Sequence, residues 1–72
     1  MNWIDKLVNY AEEECAVHDY TDISTIRNVC EMIDVYGDGY DKIDMLTMAL
    51  ESYFWRDDIV ACLGKNFELV ED

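Results

Sequence analysis

Apolar residues recur along this chain at intervals of three and four, and no proline interrupts them. A backbone with that pattern hides one face of itself by coiling into α-helices, not by alternating as a strand does. From Trp3, the set Ile4, Leu7, Val8, Ala11 and Cys15 predicts a first helix over 3–18, with Asp5, Asn9, Glu12 and Glu13 on its wet side. Asn2 suits the N-cap, and Asp5 falls in the first turn, where the helix dipole favours an anion. After the stop signal His18-Asp19-Tyr20-Thr21-Asp22, either Thr21 or Asp22 can cap a second helix. Its apolar face is Ile23, Ile26, Val29, Cys30 and Ile33, and its polar face is Ser24, Arg27, Asn28, Glu31 and Asp34. The helix should end at Tyr36-Gly37-Asp38-Gly39, where glycines tolerate positive φ. A third helix starts at Asp41 on the stripe Ile43, Leu46, Leu50 and Phe54, with Ala49 and Tyr53 flanking it. Continuing that register puts Asp57 and Asp58 at core positions, so the helix should kink or restart there. Asp57 or Asp58 would then cap a short fourth helix, Ile59 to Leu63, terminated by Gly64. The remainder, Lys65 to Asp72, fits a last helical turn or an extended strap, with Phe67, Leu69 or Val70 docked on the body. The expected fold is all-α: one domain spanning 1–72, a compact bundle of three to four short helices, with Ile26, Ile33, Leu46 and Leu50 in its core.

Seventeen Asp and Glu stand against five Lys and Arg, a formal net charge of −12. Such a surface repels nucleic acid and anionic membrane and attracts proteins with basic grooves. The carboxylates run from Asp5 to Asp72 among apolar residues that make up 51% of the chain, so they belong to a folded body and not to an acidic tail. A domain of this size buries only about 60–65% of its unfolded surface, so self-repulsion should cost stability at low salt. No apolar run approaches the roughly 20 residues of a membrane span, and Met1-Asn2-Trp3-Ile4-Asp5 lacks the basic start of a signal peptide. Cys15, Cys30 and Cys62 are odd in number and spread over expected helices. Reduced thiols and a cytoplasmic location follow. Both a monomer and a homodimer are compatible with the composition.

Three constellations invite a chemical reading. Asp34 to Met45 compares with a calcium-binding EF-hand loop in its first and fifth acidic positions and the glycine at the sixth. It then departs from the pattern: Tyr36 stands at position 3, Asp41 at 8, Lys42 at 9, and Met45 where the bidentate glutamate belongs. Cys15 and His18, at i and i+3 on one helix face, could join Cys30 and Cys62 around zinc, but each cysteine also completes an apolar stripe, where it acts as a small hydrophobe. A single His without a Ser-His-Asp or Cys-His-Asn order supplies no nucleophilic apparatus, and Gly37-Asp38-Gly39 lacks the frame of a phosphate loop. The chain is expected to be no enzyme and to use no metal or cofactor.

The third helix has an unusual outer face. Asp41, Asp44, Met45, Met48, Glu51, Ser52 and Trp55 mix carboxylates with Met and Trp. Either the helix is central and packed on both sides, or Met and Trp anchors ringed by acids form an interface. In size, acidity and absence of catalytic signatures the whole chain resembles, at class level and through no shared motif, the small inhibitors of phages and mobile elements, including anti-CRISPR proteins and other DNA mimics. That resemblance implies a protein that occupies the nucleic-acid site of a defence effector, restriction enzyme or polymerase, in the host cytoplasm if phage-encoded. Carboxylates on a helical frame stand in for phosphates against Lys and Arg. The expected partner is therefore a basic nucleic-acid-binding protein, with no direct nucleic acid and no membrane. Asp34, Asp38, Asp41, Asp44 and Glu51 would supply the charge, facing only Lys42, with Met48 and Trp55 as the apolar anchor. The alternative is a helical protein–protein adaptor that uses the acidic-rimmed Met/Trp face.

Overall fold

The computed structural model describes residues 2–37 and 41–67, and of Asp41 the backbone alone. Four α-helices follow one another: α1 (Trp3–Glu14), α2 (Tyr20–Tyr36), α3 (Asp41–Ala49) and α4 (Arg56–Leu63), with a 3₁₀ turn over Gly64–Phe67. Among the described residues there is no strand, and the fold is an all-α bundle. Each helix packs on two others, α1 on α2 and α4, and α3 on the same pair, so the four enclose a common core. Ile26, Ile33, Leu46 and Leu50 are all buried in it, as the stripes require.

Asn2 caps α1 by accepting the Asp5 amide at 2.9 Å, and Ile4, Leu7, Val8 and Ala11 are its buried face. The helix is four residues shorter than its stripe predicts. Ala16 takes a left-handed φ of 54°, and the Val17 amide folds back onto the Ala11 carbonyl, which also accepts from Cys15. Cys15 and His18 consequently do not share a helix face. The cap of α2 is Asp19, not Thr21 or Asp22: its carboxylate accepts both of their amides, at 2.8 and 3.4 Å. An aspartate one residue ahead of the helix satisfies two orphan donors at once, which leaves Thr21 and Asp22 inside the first turn.

Gly37 ends α2 for a reason other than positive φ. Its φ is −89°, but an added Cβ would lie 2.7 Å from the Ile33 carbonyl oxygen and 2.9 Å from the Lys42 side chain. The backbone of the last turn of α2 itself, with the Lys42 side chain beside it, leaves no room for a Cβ here. Gly39 lies outside the described residues.

The break in the second half comes earlier than the register of Asp57 and Asp58 predicts. The chain leaves α3 at Ala49 and turns over 50–53, the Leu50 carbonyl accepting from Tyr53 and Phe54 at 2.9 and 3.0 Å. This turn lets Phe54 stay in the core while moving both aspartates out of it. Accordingly α4 starts at Arg56, not Ile59, with Asp58 in its first turn accepting the Trp55 amide at 3.1 Å. Gly64 is right-handed, so the chain runs on into the 3₁₀ turn. That turn seats Phe67 against Trp3, edge to face at 5.3 Å, with the Lys42 ammonium 5.6 Å from its ring centre. Leu69 and Val70 lie outside the described residues.

Candidate protein-interaction face

The outer side of α3 is not packed. Met45 is half-exposed, Met48 is 78% and Trp55 81% exposed, and Asp44, Glu51 and Ser52 face solvent. The turn after α3 sets this geometry. Successive residues Phe54 and Trp55 point oppositely, the first 4% exposed and the second almost fully so. Because Asp58 holds the Trp55 amide and the Trp55 carbonyl accepts from Asp58 and Ile59, the backbone under the indole is fixed while the ring remains available. A shallow groove of about 530 Å³ results, lined by Thr47, Met48, Glu51, Phe54, Trp55 and Arg56 together with Ser52. A rigid aromatic, a pliable thioether and the Arg56 guanidinium beside them are groups enriched at protein interfaces.

Three of the residues expected at the site, Met48, Glu51 and Trp55, therefore share one groove. Asp44 reaches it through Arg56, whose guanidinium lies 3.6 Å from the carboxylate, with both side chains more than half exposed. Such a pair contributes little to stability. Asp34 is placed elsewhere and does structural work: it accepts the Trp3 indole N–H at 3.0 Å and meets Lys42 at 3.5 Å, tying α1, α2 and α3 together. Asp38 and the Asp41 side chain lie outside the described residues, although Asp41 opens α3. The acids thus face Arg56 as well as Lys42. Phe54 and Arg56 belong to the groove although the stripe analysis did not assign them there, because a helix continued through 54 would have carried them to other faces.

The opposite side of α4 touches α1, where Tyr10 donates to Asp58 at 3.2 Å. Partial burial, and then the Asp58 charge and hydrogen bond, raise the Tyr10 pKa above its usual value. The three thiols are free. Burial pushes the Cys30 thiol up to about 12 and raises Cys15 and Cys62 as well, so all three are protonated and poorly nucleophilic at neutral pH. Among the described residues no group of three or more His, Cys, Asp or Glu side chains is placed to hold a metal ion, and no helix is long and apolar enough to cross a membrane.

The face thus exposes Met48 and Trp55 beside Glu51, with the Arg56–Asp44 pair at its edge. No family model, curated protein or solved structure matches the chain.

Proposed function

We propose that this chain is a non-enzymatic inhibitor that binds a basic, nucleic-acid-handling protein, a defence effector, restriction enzyme or polymerase, and blocks its nucleic-acid site in the cytoplasm. The observation that carries this reading is the Met48–Trp55 groove, bordered by Glu51 and Asp44, on a body of net charge −12. A phosphate-binding groove offers the complementary field, and the exposed Trp55 indole, on its fixed backbone, offers an apolar anchor. The test is capture on immobilised protein, followed by measurement of whether the captured protein still binds DNA or RNA. Asp38, Asp41 and Asp44 changed together to Asn should keep the helical circular dichroism spectrum, weaken capture and flatten its salt dependence. Capture that leaves nucleic-acid binding by the partner intact overturns the proposal.

One observation favours the adaptor reading as a second possibility. Asp34 and Asp44 already have cationic partners within the chain, whereas Met48 and Trp55 stand almost free in solvent. If Trp55→Ala abolishes capture and the triple Asn variant binds as tightly as the parent at every salt concentration, apolar docking replaces mimicry.

A further inference from the structure

Gly64 is a buried glycine that neither the backbone nor the packing requires. Its conformation is right-handed, with φ −51°, and among the described residues an added Cβ would meet only the Val60 side chain, at an ordinary 3.6 Å. A buried position with open space in front of its Cα is a cavity wall, and Gly64 lines a cavity of about 690 Å³ where α1, α4 and the 3₁₀ turn meet. Val60 and Ala61 form its apolar side, and Cys62 closes it against α1 by donating its thiol to the Lys6 carbonyl at 3.7 Å. Lys6 and Lys65 line the same cavity. The Lys6 ammonium reaches the turn that carries Lys65, where it lies 3.4 Å from the neutral Asn66 side-chain oxygen. Of the five Lys and Arg, Arg27, Lys42 and Arg56 each meet a carboxylate, at 2.9, 3.5 and 3.6 Å, whereas among the described residues Lys6 and Lys65 meet none. In a chain with seventeen acids, two lysines unpaired at one cavity are the exception. The dipole of α4 favours a cation at its C-terminal end and so accounts for Lys65. It does not account for Lys6, whose neighbours one turn away on α1 are Asn2, Trp3, Asn9 and Tyr10.

We infer that this cavity binds a small organic anion, whose charged group lies between Lys6 and Lys65 and whose apolar body rests on Val60 and Ala61 in the space that Gly64 leaves open. The volume is that of a small-molecule site. The net charge of −12 repels anions at long range, but screening at physiological salt acts within roughly 8 Å, so inside the cavity the two nearby ammonium groups outweigh the distant carboxylates. Asp57, the acid among the described lining residues, opposes them and limits affinity. The cavity shares no lining residue with the Met48–Trp55 groove, and the inference does not depend on the proposed partner.

The probe is octanoate, titrated at physiological salt against the amide shifts of the protein. Acetate carries the charge without the body, and octylammonium carries the body with the opposite charge. Shifts should map to Lys6 and to Val60 through Lys65, and octanoate should bind at least about tenfold tighter than either control. Preference over octylammonium is decisive, because the general field of this chain favours the cation. Lys6→Gln combined with Lys65→Gln should reverse that preference. Gly64→Ala sets the fold against the site: alanine in a right-handed helical position should raise the urea midpoint, while its methyl takes ligand space and should weaken octanoate about threefold. Ala61→Leu, at an exposed helical position, fills the cavity further and should weaken it about tenfold. Asp57→Asn should tighten it. The proposal is overturned if octylammonium binds as well as octanoate, if the shifts map to the Met48–Trp55 groove, or if Gly64→Ala and Ala61→Leu leave the affinity unchanged. It is overturned equally if sedimentation shows a dimer that the double lysine variant dissolves, which would make carboxylates of a second copy the occupant.

Discussion

The α1–α2 half and the α3–α4 half of the bundle are built by different devices. In the first, helices of 12 and 17 residues begin at side chains that accept backbone amides, Asn2 and Asp19, and their ends follow from local chemistry. In the second, helices of 9 and 8 residues are separated by a turn, and the cap position of α4 is held by Trp55, whose side chain offers no acceptor. Helices so short are marginal alone in water, so burial of Ile43, Leu46, Leu50, Phe54, Ile59 and Leu63 must hold them. Exposed apolar side chains stand in both halves, Met32, Val35 and Tyr36 on α2 and Met48 and Trp55 on and after α3, but those of the second half border the turn between α3 and α4.

The strongest way to break this comparison is in the second half's core. Leu50 is fully buried where α3 ends, and Leu50→Ala should cost about 2–5 kcal/mol in urea unfolding; a loss below roughly 0.5 kcal/mol would show that burial does not hold α3. Next in size is an alkaline effect centred on α2. The folded Cys30 thiol has its pKa pushed up to about 12 from an ordinary value near 9.0, so above that value the unfolded chain releases the proton and the folded one keeps it. Stability should be unaffected by this group at neutral pH and fall with a slope approaching 1.4 kcal/mol per pH unit, roughly 2 kcal/mol by about pH 10.5. Tyr10, Tyr53, Cys15 and Cys62 are shifted the same way and add to the fall. Unfolding curves at neutral and alkaline pH, with Cys30→Ala for comparison, measure it; an unchanged slope in that variant would remove Cys30 as the cause.

Local chemistry in the first half is tested by Asp19→Ala, expected to cost about 1 kcal/mol through loss of the α2 cap. Ala16→Gly should go the other way. A left-handed alanine is strained, and glycine there should raise stability by about 0.5–1 kcal/mol in the same assay. The smallest effect belongs to Met48→Ser, within about 0.5 kcal/mol of the parent because the side chain faces solvent; a larger loss would turn the groove residue into a structural one.

Legibility does not divide along the same line, for α1 ends four residues before its stripe predicts and α3 also ends early. Periodicity was enough to find four helices, the Asn2 cap and the four core residues, because each rests on contacts within one helix or on a stripe of constant pitch. It could not choose Asp19 over Thr21 and Asp22, since all three are competent caps and the choice depends on where the chain leaves the Ala16 turn. It misplaced the end of α3, because the stripe of Ile43, Leu46, Leu50 and Phe54 is satisfied equally by a continuous helix and by a turn that returns Phe54 to the core. Asp34 reads as a surface acid until Trp3 and Lys42, both remote in sequence, close on it. Met48, Glu51 and Trp55, whose mixed character breaks the polar pattern, line one groove.

The contrast between the two indoles of this chain has a practical consequence. Trp3 is clasped by Phe67 and by the Asp34 carboxylate, while Trp55 projects into water. Their emission therefore separates by environment: one ring registers whether the bundle is assembled, and the other registers whether something has settled on its surface. Replacing either tryptophan by phenylalanine would leave a single-channel optical probe, so that loss of fold and loss of partner, which look alike in a capture experiment, become two different colours of the same molecule.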